Sequence, residues 1–138
     1  MERWFIDTSF LIAISARVDQ HQDRASQLLN QIEENGIALV TTSAILLEFG
    51  AALSRLAFRT SAATVIREMQ NDERIKIVSV HRELLEQALA LFESRPDKEW
   101  SVADCASFEV MRSRGMSQAL TADKHFEQAE FVALRTLA

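Results

Sequence analysis

Short apolar runs alternate with helix-periodic stretches along most of this chain. "RWFI" (3–6) reads as a first buried strand, and "SFLIAISA" (9–16) begins a helix. From Asp23 to Asn35 the apolar residues Ala25, Leu28, Leu29 and Ile32 recur at helical spacing, and Gly36 suits a C-terminal cap. "IALVT" (37–41) is the second strand. Ser43 is then expected to cap a mostly apolar helix running to about Ala57. Thr60 is expected to cap another, with Val65, Ile66 and Met69 on one face. "IKIVSV" (75–80) supplies the third strand, and Leu84, Leu85, Ala88, Leu91 and Phe92 mark the next helix. A helix from about Val102 to Arg114 follows the loop "SRPDKEW". The chain ends on strand "QALT" (118–121), a helical turn "DKHFEQA" and strand "FVALR" (131–135). Strands alternating with helices predict an α/β fold: a parallel sheet of about five strands covered on both faces by right-handed crossovers.

Composition narrows this picture in a few places. The 138 residues suit one domain, 1–138, with a real core. A 48% hydrophobic and 25% charged content is that of a globular chain. The net charge of −5 excludes a basic nucleic-acid coat, so a phosphate partner has to be held by local basic groups or by metal ions. The single cysteine, Cys105, rules out an internal disulfide and fits a reducing compartment. No apolar run is long enough to span a membrane. The N-terminal segment lacks the basic cluster of a signal peptide. The expected location is the cytoplasm.

The chemistry lies in the acids. Asp7 ends the first strand and Asp123 ends the fourth. Glu48 sits inside "AILLEFGAAL", and Asp104 sits early in "WSVADCASFEVM". In a doubly wound sheet, strands one and four are neighbours at the reversal point, which brings Asp7 and Asp123 to one crevice. Glu48 and Asp104 lie near the starts of helices leaving the same edge. Three of these acids have structural alternatives. Asp7 suits an N-cap, Asp123 suits the cap of the following turn, and Asp104 forms an S-x-x-D capping-box spacing with Ser101. Glu48 lies beyond capping reach between Leu47 and Phe49, so it is expected to be buried, with Arg55 as its first candidate cation. Two carboxylates ~5 Å apart at an effective dielectric near 20 repel by about 3 kcal/mol. A divalent cation relieves that repulsion, and oxygen ligands favour Mg²⁺ or Mn²⁺ over zinc.

The segments "DTSFLI", "TTSAILLEFGAAL", "WSVADCASFEVM" and "TADKHFEQAEF" resemble, in order and spacing, those of PIN-domain ribonucleases. The likeness is strongest to the VapC-like toxins of bacterial toxin–antitoxin pairs. The resemblance implies an α/β/α sandwich with strand order 3-2-1-4-5 and metal-dependent endonucleolytic cleavage of RNA. It implies a catalytic and metal-binding quartet of Asp7, Glu48, Asp104 and Asp123, with Asp7 and Asp104 the most direct ligands. Thr8, Ser9 and Thr121 match the small hydroxyl residues beside the acids, and Asp97 is a possible additional acid. A small antitoxin protein and a homodimer are the implied partners. Glu130 departs from the family pattern, which often has glycine before the last strand. Water as nucleophile predicts 3′-hydroxyl and 5′-phosphate ends.

Other residues have plainer readings. His125, two residues after Asp123, is taken for a surface or packing residue, although it is close enough to touch a phosphate. Cys105 is core filler, and Trp100 is a hydrophobic staple. Arg17, Arg55, Arg59 and Lys98 are solvated charges with RNA contact as the alternative. Three other functions compete with the toxin. The first is a PIN nuclease with a housekeeping RNA or DNA substrate and no antitoxin. The second is a receiver-type signalling module, which wants a phosphoacceptor after strand three and a lysine after strand five; neither is present. The third is a non-catalytic PIN-like binding module.

Overall fold

The computed structural model describes residues 2–15 and 19–134. Arg17 and the end of the last predicted strand, Arg135, lie outside them. Five strands form one parallel sheet in the order β3-β2-β1-β4-β5. They are β1 (Arg3–Ile6), β2 (Ala38–Thr42), β3 (Ile75–Val78), β4 (Gln118–Leu120) and β5 (Val132–Leu134). Seven helices connect them among the described residues: α1 (Thr8–Ser15), α2 (Asp19–Asn35), α3 (Ser43–Ala52), α4 (Leu56–Asn71), α5 (Arg82–Ser94), α6 (Val102–Ser113) and α7 (Lys124–Gln128).

The strand order explains the layering. The chain steps outward from β1 to β2 to β3, then returns past β1 to β4 and β5. Right-handed crossovers in opposite directions put their helices on opposite faces. The helix packing agrees: α1 meets α2 and α3, and α3 meets α4, while α5 meets α6 and α6 meets α7. This is an α/β/α sandwich, and the order differs from the 2-1-3-4-5 of receiver-type folds. Buried on both faces, β1 and β4 carry Trp4, Phe5, Ile6, Ala119 and Leu120 in the core.

An aromatic cluster holds the later helices in place. Phe126 of α7 is fully buried, with ring centroids 6.1 Å from Phe5 of β1 and 5.1 Å from Phe108 of α6. Trp100 packs edge-on against Phe108 at 5.0 Å and donates its indole N–H to Gln128 Oε1. The predicted staple is therefore a wider contact that ties the start of α6 to α7. Cys105 is fully buried on α6, and burial pushes its thiol up to about 11, as suits an inert filler.

Two helix boundaries differ from expectation. The helix predicted to reach Ala57 stops at Ala52, and its cap is Thr42, whose hydroxyl accepts from the Ile45 N–H, not Ser43. The next helix starts at Leu56, which leaves Thr60 inside it. No glycine or proline marks this break. Leu53, Ser54 and Arg55 form a bend between two segments of good helix formers. Gly36 takes the expected left-handed conformation after α2, with φ +59°.

Candidate active site

All four acids lie at the carboxyl ends of the central strands, where the sheet reverses direction between β1 and β4. Asp7 is the residue between β1 and α1, and it is buried. Burial raises its pKa; hydrogen bonds from Thr121, Ser9 and the Thr8 backbone oppose that shift, and the charge of Asp104 adds to it. The two hydroxyls have their directions set from behind. Ser9 Oγ accepts from the Ala122 N–H and donates to Asp7 Oδ2 at 2.9 Å. Thr121 Oγ1 accepts from the Asp123 N–H and donates to the same oxygen at 2.7 Å. The turn after β4 is thereby fastened to the carboxylate after β1.

Glu48 corrects the sequence reading. It is exposed on α3 and not buried in the apolar stretch, and Arg55 is not its partner. At 100° per residue, the flanking Leu47 and Phe49 face different sides; Leu47 is 75% exposed and Phe49 is fully buried. The partner of Glu48 is Thr8, whose Oγ1 donates to Glu48 Oε1 at 3.0 Å. The Glu48 pKa is raised, first by partial desolvation against the Thr8 hydrogen bond, then by the charges of Asp104, Asp7 and Asp123. All four acids therefore share one electrostatic neighbourhood.

Asp104 does two things at once. It completes the capping box of α6: the Ser101 hydroxyl accepts from the Asp104 N–H, and Asp104 Oδ2 accepts from the Ser101 N–H at 3.0 Å. The same oxygen lies 2.9 Å from His125 Nδ1. Asp123 caps α7 by accepting from the His125 N–H, and its Oδ1 lies 3.3 Å from the imidazole. Asp104, Asp123 and His125 each place a ligand atom within 4.8 Å of the other two. His125 thus belongs to the site, which the sequence reading missed. Its only signal was its position two residues after Asp123, because its partner Asp104 is distant in sequence.

Asp97 is placed differently. Arg95 binds it through two hydrogen bonds of 3.0 and 2.9 Å, and this pulls its pKa down to about 2. It makes no hydrogen bond to the four acids and shares only a pocket wall with His125.

The donor set fits a hard divalent cation. Among the described residues no lysine or arginine pairs with Asp7, Glu48, Asp104 or Asp123. Glu48 Oε2, Asp104 Oδ1 and Asp123 Oδ2 receive no hydrogen bond among these residues, while the other oxygen of each is held by the protein. Positioned carboxylates with an unclaimed oxygen, and no cation to offset their charge, are what Mg²⁺ or Mn²⁺ sites offer.

The fold with an acidic cluster at this edge is of a nuclease type, and comparison with known proteins agrees on the family. The PIN domain profile matches residues 4–132, and the chain belongs to that family. It is 28% identical over 131 residues to the 23S rRNA-specific endonuclease VapC20 of Mycobacterium tuberculosis, covering 95% of this chain and 97% of that one. The crystal structure of M. tuberculosis VapC20, a sarcin-ricin loop cleaving toxin, matches with TM-score 0.82 at 28% identity, covering 93% of this chain and 95% of that one. VapBC2 from Rickettsia felis, bound to a promoter DNA fragment, shares the fold with TM-score 0.69 at 12% identity, over 96% and 98% of the two chains.

Proposed function

We propose that this protein is a divalent-metal-dependent endoribonuclease and the toxin of a toxin–antitoxin pair. The observation that carries this is the set of four carboxylates at one sheet edge, each held by a protein donor and none neutralised by a lysine or arginine among the described residues. Asp7, Asp104, Glu48 and Asp123 would hold Mg²⁺ or Mn²⁺, with Asp7 and Asp104 as the most direct ligands. Thr8, Ser9 and Thr121 orient the carboxylates. When bound, such an ion lowers the pKa of water toward neutrality and offsets charge developing on a phosphoryl group. With water as nucleophile, the strand is cut to 3′-hydroxyl and 5′-phosphate ends. Until the ion is loaded, the carboxylates repel a phosphodiester, so the ion serves substrate binding as well as catalysis.

The toxin reading draws on the likeness to VapC20 along nearly the whole of both chains. It carries with it a small antitoxin protein, a homodimer, a cytoplasmic location and one nuclease domain over 1–138. It also makes the 23S rRNA sarcin-ricin loop, the target of VapC20, the first RNA to try. The test incubates purified protein with ribosomes and with a labelled RNA mixture, in Mg²⁺, Mn²⁺ or EDTA, and sequences the cut ends. Discrete cuts with 5′-phosphates that vanish in EDTA are expected. Cyclic 2′,3′-phosphate ends, or full activity in EDTA, refute the mechanism.

A further inference from the structure

A cavity adjoins the acid cluster. It is polar, of about 250 Å³, and its walls are Asp97, Lys98, Glu99, Lys124, His125 and Gln128. His125 is shared, because the imidazole that meets Asp104 and Asp123 through Nδ1 also forms part of this wall. The cavity is therefore one side chain away from the carboxylates. Resting on the nuclease reading above, we propose that it is a subsite for one phosphate of the RNA strand, on a nucleotide neighbouring the scissile bond, with Lys98 and Lys124 as its cationic contacts.

Charge distribution supports this assignment. The chain carries a net charge of −5, so an RNA strand crossing the acids needs cations placed locally. Asp97 is already neutralised by Arg95, whose guanidinium is fixed further by lying 5.2 Å over the Trp100 ring. Lys98 Nζ is 4.0 Å from Asp97, at the limit of pairing. Lys124 is exposed and has no ion pair among the described residues. Two ammonium groups thus remain for an anion, opposed by Glu99. Apart from the His125 imidazole, whose Nδ1 is engaged with Asp104, the lining contains no aromatic or aliphatic residue. Base recognition in single strands relies on aromatic platforms, so a cavity with two lysines and one ring already held by a carboxylate suits the backbone better than a nucleobase.

The test compares wild type, the Lys98→Ala/Lys124→Ala double variant and Glu99→Gln. Stopped-flow anisotropy reads binding of a labelled single-stranded RNA in Mg²⁺ before turnover, over a range of salt, and steady-state cleavage is measured beside it. Losing one phosphate contact in the double variant should weaken binding about tenfold and lower the log–log salt slope by about 0.7, with kcat unchanged. Glu99→Gln should bind more tightly than wild type. Glu99 and Lys124 are exposed and Lys98 is half-buried, and unchanged melting temperatures check the fold. A double variant with wild-type affinity and salt slope overturns the subsite, even if cleavage is robust. Absence of cleavage by wild type, with the lysine effect on binding intact, instead removes the nuclease reading and leaves the phosphate site standing.

Discussion

Thr121 Oγ1 donates a 2.7 Å hydrogen bond to Asp7 Oδ2 across 114 residues of sequence, and both residues are buried. The bond joins the exits of the two strands that flank the sheet reversal. Thr121→Val keeps the shape and removes the donor. The Asp7 carboxylate then keeps only Ser9 and the Thr8 backbone against its burial. At pH 8 without metal the variant should lose about 1.5–3 kcal/mol of stability, the range for hydrogen bonds to charged groups. At a pH low enough to protonate Asp7, whose pKa burial raises, the loss should shrink. Urea denaturation at both pH values measures this; an equal, small loss at each would reduce Thr121 to a packing residue.

The metal-free protein should become less stable as pH rises above the ordinary carboxylate range. Asp7 and Glu48 both have raised pKa values, chiefly through burial. Below their ordinary range near 4 they are protonated in folded and unfolded chains alike. As pH climbs through the raised values, the unfolded chain ionises more easily and stability falls. Asp72 and Asp97, lowered by Arg74 and Arg95, contribute in the opposite sense. Their contribution is complete above the ordinary range and is lost only in acid. Melting curves in EDTA should therefore drift downward as pH rises above that range, and saturating Mg²⁺ should remove the drift by binding the native state. Asp7→Asn should flatten the EDTA curve, and a wild-type slope in that variant would place the effect elsewhere.

What was legible in the sequence follows from where each signal resides. Strand and helix alternation is local, and it predicted the parallel sheet and its crossovers. Asp7 and Asp123 were legible because a charge ending an apolar strand is conspicuous. Glu48 was found for a mistaken reason: the overall apolar character of α3 suggested burial, while its buried stripe is only Ile45, Leu46 and Phe49. The break at Leu53–Arg55 had only Ser54, with no glycine or proline, to announce it. His125 depends on a contact between α6 and α7, which no local pattern encodes.

Glu48→Gln separates site from scaffold cleanly, because the residue is exposed and, among the described residues, only Thr8 holds it. Gln retains an oxygen for that hydroxyl. Stability in EDTA should stay within about 0.5 kcal/mol of wild type, as for ordinary surface substitutions. Cleavage should drop by two orders of magnitude or more, roughly the effect of removing one electrostatic contributor from an active site. A variant that cuts RNA at the wild-type rate would remove Glu48 from the quartet.

Glu130, where the family resemblance often puts glycine, has φ +72° in the turn between α7 and β5. The family's glycine and this backbone are consistent, and the glutamate is the strained choice. Left-handed geometry costs an L residue roughly 1–2 kcal/mol, and glycine gives back roughly 0.5–1 kcal/mol in unfolded-chain entropy. Glu130→Gly should therefore stabilise the protein by about 0.5–1 kcal/mol without changing cleavage. A lower melting temperature would show that the attraction of Glu130 to Arg95 outweighs the strain.

Asp104 and Ser101 allow the cap and the metal site to be tested against each other. Asp104 Oδ2 serves both the Ser101 N–H and His125, so the capping role and the site role coexist. Asp104→Asn keeps an acceptor for the cap but loses a charge near the N-terminus of α6, at a cost of roughly 0.3–1 kcal/mol. Relief of repulsion with Asp7 and Glu48 offsets that cost. Its melting temperature in EDTA should thus stay near wild type, while the Mg²⁺-induced rise and cleavage are both lost. Ser101→Ala is the converse. It removes the hydroxyl that accepts from the Asp104 N–H and should cost about 1 kcal/mol. Every carboxylate remains, so the Mg²⁺-induced rise should persist along with cleavage. Melting each variant with EDTA and with Mg²⁺, beside an RNA cleavage assay, gives a crossed pattern if both roles are real. Full Mg²⁺ stabilisation and unchanged cleavage in Asp104→Asn would leave Asp104 as a cap alone.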